Sequence, residues 1–153
     1  RGEAYEGFVK LSRERSLIGM SHADFSTLIY FLMPKGGRLA PGYMLNEWLG
    51  ISLNLLAGEI VVKLDETIRW AERRVKGRCE IVQQIDVRLS TYNDAEDYER
   101  ACNFLEQIAA RLAKGWTAET LHLTLMSNDI QNEGSWRDYL RTQRTKTLSS
   151  LRG

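Results

Sequence analysis

The sequence has few residues of the types that bind metals or form disulfides. Its 153 residues include two cysteines, Cys79 and Cys102, and two histidines, His22 and His122. The cysteines lack the paired spacing of a structural zinc site, and two histidines cannot build a His-rich metal centre. We therefore expect no metal and no cofactor. Both cysteines are expected as reduced residues of the hydrophobic core, since a chain of this size does not need a disulfide.

Long apolar runs and a strong net charge are also missing. No segment approaches the ~20 consecutive apolar residues of a membrane span, and no signal peptide is recognisable. The formal net charge is +1, so only the local distribution of charge can indicate a polyanionic partner. We expect a cytoplasmic protein. The chain starts at Arg1 and not at a methionine, so a leader or an N-terminal arm is expected to precede it.

Length and composition predict one globular domain, residues 1–153. Hydrophobic residues make up 43% of the chain, which is enough to bury a core and excludes a disordered protein. Both prolines lie in the segment 34–42, PKGGRLAPG, together with three glycines. This segment is the clearest break in the sequence and a candidate hinge.

A helical N-terminal extension is expected over residues 1–77. Short helices are predicted over 3–15 and from a capping box of Ser21 with Asp24, and a central helix over 43–56. From 59 to 75 the apolar residues recur at steps of four, four, three and four, which predicts an amphipathic helix ending at Gly77. Trp48 and Trp70 are expected as core residues.

The next segment, residues 78–126, has strand periodicity followed by helical periodicity. Apolar residues alternate from 79 to 89, which predicts a half-buried strand, and helices are predicted over 94–114 and 117–126. One long helix over 59–89 is the alternative, because the helical period also continues through Val82, Ile85 and Leu89. Gly77 and the β-branched residues favour the strand. A basic helix is predicted over 135–152, so the fold class is mainly α with one short β-ribbon strand.

Motifs for catalysis are weak. His122-Leu123-Thr124 matches one half of the His-x-Thr signature of 2H-type phosphoesterases, but His22 is followed by Ala23-Asp24 and supplies no second half. Lys35-Gly36-Gly37 lacks the spacing of a phosphate-binding loop and does not follow a strand. We therefore predict no catalytic residue and no enzyme activity, and interpret His122 as a surface or core histidine.

Charge is distributed unevenly along the chain. Two basic clusters and one acidic cluster predict a face that contacts DNA phosphates and an opposite face that meets solvent or another protein. The first basic cluster comprises Arg69, Arg73, Arg74, Lys76 and Arg78, the second comprises Arg137, Arg141, Arg144, Lys146 and Arg152, and the acidic cluster comprises Asp94, Glu96, Asp97, Glu99 and Glu106.

The segment 85–91, IDVRLST, followed by a helix and then by 115–121, GWTAETL, resembles the ribbon–helix–helix family of DNA-binding regulators. In that family the strands of two chains form an antiparallel ribbon that enters the major groove, and the helices form the core of a homodimer. A family of conjugative-plasmid and integrating-element proteins that includes a conjugation activator is similar in placing helices around such a core. The resemblance implies a ribbon–helix–helix core, 78–126, embedded in an extended helical domain.

The resemblance also implies site residues. The outward strand residues Gln84, Asp86, Arg88 and Ser90 would read bases, Arg by two hydrogen bonds to guanine and Gln by two to adenine. Asp86 is expected either to pair with a nearby arginine or to accept from cytosine. The candidate phosphate contacts are Arg73, Arg74, Lys76, Arg78, Arg141 and Arg144, together with the backbone of Thr117 and Ala118 at the start of the second helix.

The expected function is a homodimeric, sequence-specific transcriptional regulator of double-stranded DNA that activates conjugative-transfer genes. The acidic helix face would contact RNA polymerase or another protein, and no contact with a membrane is expected. The alternative is a helical protein–protein adaptor that does not bind nucleic acid, in which 59–89 is one continuous helix.

Overall fold

A computed structural model describes residues 1–33, 40–75, 78–126, 136, 138–140 and 142, with the backbone alone for 73–75, 78, 80, 82 and 84. These residues form a mainly helical fold, as expected, with one two-stranded antiparallel sheet where one strand was predicted. In chain order the elements are α1 (Gly2–Arg13), α2 (His22–Leu32), α3 (Glu47–Ala57), β1 (Leu64–Val75), β2 (Arg78–Leu89), α4 (Ala95–Arg111) and α5 (Ala118–Met126). Residues 136, 138–140 and 142 are also helical.

Local capping signals set the ends of several helices. Ser21 and Asp24 form the predicted capping box of α2, with the Ser21 amide donating to the Asp24 carboxylate at 2.7 Å. Asp94 caps α4 in the same way. The third helix starts four residues later than predicted, because the side chain of Asn46 accepts a hydrogen bond from the Leu49 amide at 2.9 Å and fixes its first turn.

The prediction of an amphipathic helix over 59–75 is wrong, and so is the alternative of one helix over 59–89. Residues Leu64–Val75 form β1, which pairs with β2 over twelve residue pairs, from Leu64–Leu89 to Val75–Arg78. The two residues 76 and 77 separate the strands, the loop length of the tightest β-hairpins. The helical spacing of apolar residues in 59–75 is overridden because pairing with β2 supplies a ladder of backbone hydrogen bonds along twelve residue pairs.

The core lies between α1, α2, α3, α4 and α5 and is rich in aromatic residues. Tyr5 and Tyr98 are fully buried and stack with ring centroids 4.5 Å apart, and Phe25 packs edge-on against Tyr5. The Tyr5 hydroxyl hydrogen-bonds to Nδ1 of His22 at 2.7 Å. Cys102 is buried in this core, as predicted, and its burial raises the pKa of its thiol to about 12.

Arg1 joins the start of α1 to α4. Its Nε atom lies 2.8 Å from Glu99 and its Nη1 atom 2.5 Å from Glu106, and it also donates to the side chain of Asn103. The guanidinium side chain is 2% exposed, whereas the two carboxylate side chains are about one third exposed. The acids of α4 therefore compensate an arginine that the fold buries.

The strands are fixed to the helical body by two asparagine side chains. The Oδ1 atom of Asn54 in α3 accepts from the amides of Val61 and Val62, both at 2.8 Å, just before β1. The Asn93 side chain is buried and makes three hydrogen bonds, accepting from the Lys63 amide and donating to the carbonyls of Lys63 and Ser90. Asn54 thereby ties the chain before β1 to α3, and Asn93 ties the two ends of the hairpin to each other.

From this root the hairpin, called the β-ribbon below, extends away from the core. Leu64 and Leu89 pack against the core, and Gly50 of α3 lies so close that an added Cβ would sit 3.0 Å from Leu64. Farther along, Ile68 and Trp70 are 55% and 70% exposed. The expectation that Trp70 is a core residue is wrong, because the strand carries it beyond the helices.

Cys79 also lies outside the core. The sequence pattern predicted it as a buried residue, but it is exposed near the far end of β2, so that prediction is wrong. Trp48 is half-buried. None of the helices in the described ranges is long and apolar enough to cross a bilayer.

Replacing Asn93 by alanine should destabilise the fold. The Lys63 amide would lose its buried partner and two carbonyls would lose a donor, which is expected to lower the free energy of unfolding by about 2–4 kcal/mol. Urea denaturation followed by circular dichroism measures the loss. Gln107→Ala, on the exposed face of α4, is the matched control and should change stability by less than about 0.5 kcal/mol. Equal effects of the two substitutions would contradict the role of Asn93.

Stability should fall as the pH drops from 7 to 5. Burial, together with the charge of Arg13, lowers the pKa of His22 in the folded state, so the unfolded chain binds more protons as the pH falls through about 6.5. Hydrogen bonds lower the pKa of Asp24 and Asp94, and their contribution is lost only at more acidic pH.

His22→Asn is expected to reduce the loss of stability between pH 7 and pH 5, because asparagine can keep a polar atom near the Tyr5 hydroxyl without titrating. Thermal unfolding at a series of pH values, for the wild type and the variant, tests this. Parallel pH profiles would show that His22 is not responsible.

Candidate nucleic-acid interface

The β-ribbon presents two chemically different faces. Directly paired residues of an antiparallel ladder occupy the same face, and successive residues alternate between faces. By register, the polar face holds positions Asp65, Thr67, Arg69, Ala71, Arg73 and Val75 of β1 and Arg88, Asp86, Gln84, Val82, Glu80 and Arg78 of β2. The apolar face holds Leu64, Glu66, Ile68, Trp70, Glu72 and Arg74 of β1 and Leu89, Val87, Ile85, Gln83, Ile81 and Cys79 of β2.

Three of the four predicted base-reading residues occupy the polar face. Arg88 is exposed and is paired in register with Asp65, and Gln84 is paired with Arg69. Asp86 lies between them along β2. The predicted alternation of β2 therefore agrees with the observed register at these positions.

Ser90 does not point outward, and that prediction is wrong. It follows the last residue pair of the ribbon and is 1% exposed. Its amide donates to the Lys63 carbonyl at 3.1 Å, and its hydroxyl accepts from the Tyr92 amide at 3.3 Å. Ser90 therefore forms part of the ribbon root, because the chain turns there into the cap of α4.

Asp86 forms an ion pair within the polar face. Its Oδ2 atom lies 2.8 Å from Nε of Arg69, a diagonal neighbour on β1. The Arg69 side chain is 55% exposed and that of Asp86 26% exposed. This ion pair matches the first of the two roles expected for Asp86. It holds the Arg69 guanidinium on the face that also carries Arg88.

Positive charge is concentrated at the end of the ribbon that is farthest from the helices. Arg73, Arg74 and Arg78 occupy the last residue pairs, where the backbone alone is described, and Lys76 lies outside the described residues. The half of the ribbon nearer the root carries three acids, Asp65, Glu66 and Asp86, against Arg69 and Arg88. Charge therefore changes sign along the ribbon, with its basic end farthest from the helical body.

The start of α5, the other candidate phosphate contact, is already capped. The Thr117 hydroxyl accepts from the Thr120 amide at 3.0 Å. A cleft of about 260 Å³ lies beside Thr117 and Ala118, and Glu119 places a carboxylate in it, 2.8 Å from the Tyr30 hydroxyl. This carboxylate repels anions, so the site is less suitable for phosphate than the sequence indicated.

The acidic cluster of α4 is largely engaged within the chain. Asp97 is buried and contacts Lys63 at 2.7 Å and Arg100 at 3.1 Å. Asp94 caps the helix, and Glu99 and Glu106 contact Arg1. Of the five acids, Glu96 has an exposed side chain. The cluster therefore stabilises the fold more than it forms a free acidic surface.

All five residues of the second basic cluster lie outside the described residues, including the candidate phosphate contacts Arg141 and Arg144. The helical residue Trp136 donates from Nε1 to the Ser52 hydroxyl of α3 at 2.9 Å, and Leu140 is 2% exposed. Trp136 is thus used for packing against α3.

His122 and Thr124 do not converge on a common site. His122 is fully buried between the rings of Tyr30 and Tyr43, with centroids 5.3 Å and 5.6 Å away. Thr124 is exposed and donates to the Thr120 carbonyl. The interpretation of His122 as a core histidine is confirmed. Within the described ranges, no group of three or more His, Cys, Asp and Glu side chains is placed to hold a metal ion.

Two features of the ribbon were not predicted as functional. Arg69 was counted in the basic cluster but not as a base-reading residue, and Trp70 was expected in the core, because both were placed on a helix. The segment Lys76-Gly77 could have located them. It is a two-residue segment between two apolar stretches, which is typical of a hairpin. That spacing places Arg69 opposite Gln84.

Comparison with known proteins gives no relative. No family model, no curated protein and no solved structure matches the chain significantly.

Proposed function

We propose that the chain is a sequence-specific, double-stranded-DNA-binding transcriptional regulator that acts as a homodimer and reads the major groove with its β-ribbon. The observation that carries this proposal is a two-stranded antiparallel ribbon of twelve residues per strand that extends from a helical body and has one polar face. A two-stranded ribbon is one of the two elements that fit the major groove, which is ~12 Å wide.

The chemistry of the polar face supports base reading. Arg88 is exposed, and an arginine can donate two hydrogen bonds to the major-groove edge of guanine. Arg69, oriented by Asp86, is a second donor on the same face. Gln84 is paired in register with Arg69, and the amide of a glutamine is suited to adenine. Such contacts specify sequence, whereas phosphate contacts fix position.

Phosphate binding is assigned to the basic end of the ribbon. Arg73, Arg74 and Arg78 are in the last residue pairs, and Lys76 is between the strands in the sequence. A ribbon of this length spans ~40 Å, so its basic end can reach phosphates well away from the helical body. Release of counterions from these phosphates would make binding strongly salt-dependent.

The order of elements supports a relation to the ribbon–helix–helix arrangement, with one difference. β2, α4 and α5 follow one another as strand, helix and helix. In that family the strand pairs with a second chain, whereas here β2 pairs with β1 of the same chain. A ribbon from one chain is therefore proposed to enter the groove. Conjugative-transfer genes, indicated by the sequence resemblance, are the regulated genes to test first.

A role as a protein–protein adaptor is the second candidate. The exposed apolar side chains of the β-ribbon, with Trp70 70% and Ile81 72% exposed, favour contact with a protein. A contact of α4 with RNA polymerase or another protein would depend on Glu96, the exposed acid of its cluster. Titration of duplex DNA at two salt concentrations separates the candidates, because an adaptor would show no salt-dependent shift.

Arg88→Ala is expected to lower affinity for a site selected from random duplexes by roughly tenfold, since a bidentate arginine–guanine contact contributes roughly 1–3 kcal/mol. Affinity for unselected DNA should change little. Fluorescence anisotropy with both duplexes measures the two affinities. Arg111→Ala, at the exposed end of α4, is the matched control. A uniform loss of affinity for both duplexes would mean that Arg88 contacts phosphate and not a base.

Arg73→Ala combined with Arg74→Ala should weaken binding to every duplex. Losing two phosphate contacts is expected to reduce the slope of log affinity against log salt by about 2. The slope is obtained from anisotropy titrations between low and moderate salt. The double variant Arg111→Ala, Lys114→Ala removes the same charge elsewhere and should leave the slope nearly unchanged. An unaltered slope in the ribbon variant would place its basic end away from DNA.

A further inference from the structure

The apolar face of the β-ribbon is covered at its root and exposed beyond it. Leu64 and Leu89 pack against the core next to Gly50 of α3. Beyond them Ile68 is 55% exposed, Trp70 70% and Ile81 72%. A two-stranded hairpin by itself is at best marginally stable in water, and such a patch on a monomer is typical of an interaction surface.

We propose that a second copy of this chain covers this face, with the two ribbons stacked face to face and pointing in opposite directions about a two-fold axis. The inference rests on the homodimer in the proposed function and assigns it to a surface. It differs from strand pairing between chains, because the ladder of each ribbon stays within one chain.

The position of α3 determines the relative direction of the two ribbons. α3 lies over the root of the apolar face, where Gly50 contacts Leu64 and Leu89. Stacked sheets and the helices packed on them occupy the same layer, ~10 Å above the strands. A second ribbon running in the same direction would therefore place its root where α3 already lies. If the second ribbon runs in the opposite direction, its far end reaches α3 and ends there.

Opposite stacking makes the surface self-complementary. With the two-fold axis at the Trp70–Gln83 pair, Trp70 lies over Trp70 of the second copy, and Ile81 lies over its Ile85. The position of Glu66 then lies over that of Arg74 of the second copy. Glu72 lies over Ile68 of the second copy, and because each ribbon is only two strands wide, the exposed Glu72 side chain keeps its contact with water.

The available area predicts a dimer of moderate affinity. The pairs from Glu66–Val87 to Arg74–Cys79 extend over ~27 Å, and their exposed side chains offer roughly 500 Å² per copy. A total of roughly 1,000 Å² is near the lower bound for a specific interface. Dissociation in the micromolar range is therefore expected. The two basic ends would lie roughly 30–40 Å apart, on ribbons whose polar faces point in opposite directions.

Sedimentation equilibrium of the whole chain, without DNA, tests the dimer. Trp70→Thr keeps a residue suited to strands and removes the central contact, so it should raise the dimer dissociation constant at least tenfold. Trp116→Thr replaces a tryptophan that is 40% exposed between α4 and α5, away from the ribbon, and should leave the constant unchanged. Circular dichroism confirms that both variants fold. A wild type that stays monomeric up to about 100 µM, or a Trp70→Thr dimer of unchanged affinity, would overturn the proposal.

Cross-linking tests the direction of stacking. Val87 lies over Cys79 of the second copy in the opposite arrangement, so Val87→Cys should form an intermolecular link to Cys79 with a short bifunctional maleimide. The wild type has Cys79 exposed but ~27 Å from its counterpart, and should not cross-link. Cross-linking of the wild type through Cys79 would indicate ribbons that run in the same direction and would contradict the proposal.

DNA binding is measured separately from dimer formation. Titration of the monomeric Trp70→Thr variant with unselected duplex reports the polar face, which the substitution leaves in place. Salt-dependent binding without a wild-type dimer would overturn the stacked interface and the homodimer of the proposed function, and leave DNA binding by the ribbon standing. A wild-type dimer that ignores DNA at every salt concentration would overturn the proposed function and leave the stacked interface standing.

Discussion

The buried hydrogen bonds of Asn54 and Asn93 are the constraint on which the rest of the molecule depends. Asn54 holds the chain just before β1, and Asn93 joins the residues that precede β1 and follow β2. A two-stranded ribbon has too little core to fix its own direction. These side chains, with Leu64 packed on α3, supply the anchor. The ribbon can therefore extend from the helical body and still have a defined orientation relative to it.

The pairing of β1 with β2 produces two surfaces of different chemistry. Because side chains alternate along each strand, the register that places Arg69 and Arg88 on one face places Trp70 and Ile81 on the other. A shift of one residue would exchange the two faces. The proposed base contacts and the proposed self-association thus use opposite sides of the same element, and neither has to displace the other.

The acids of α4 show how a charge pattern can serve the fold. In the sequence they resemble a surface available to a partner. In the structure Asp97 holds Lys63 at the ribbon root, and Glu99 and Glu106 surround Arg1. Charge clusters in a sequence give the sign of a local field, but they do not give the partner, because the nearest opposite charge can be distant along the chain. The ion pair of Arg69 with Asp86 is a further example.

The sequence by itself determined the elements whose signals are local. The capping box of Ser21, the cap of α4 at Asp94 and the alternation of β2 each depend on residues within a few positions, so they were predicted correctly. The tertiary structure decided the features that depend on pairing between distant segments of the chain. The segment that forms β1 has apolar residues at helical spacing, but its twelve pairings with β2 make it a strand. The exposure of Trp70 was likewise set by how far the ribbon extends beyond the helices, a distance that no local pattern encodes.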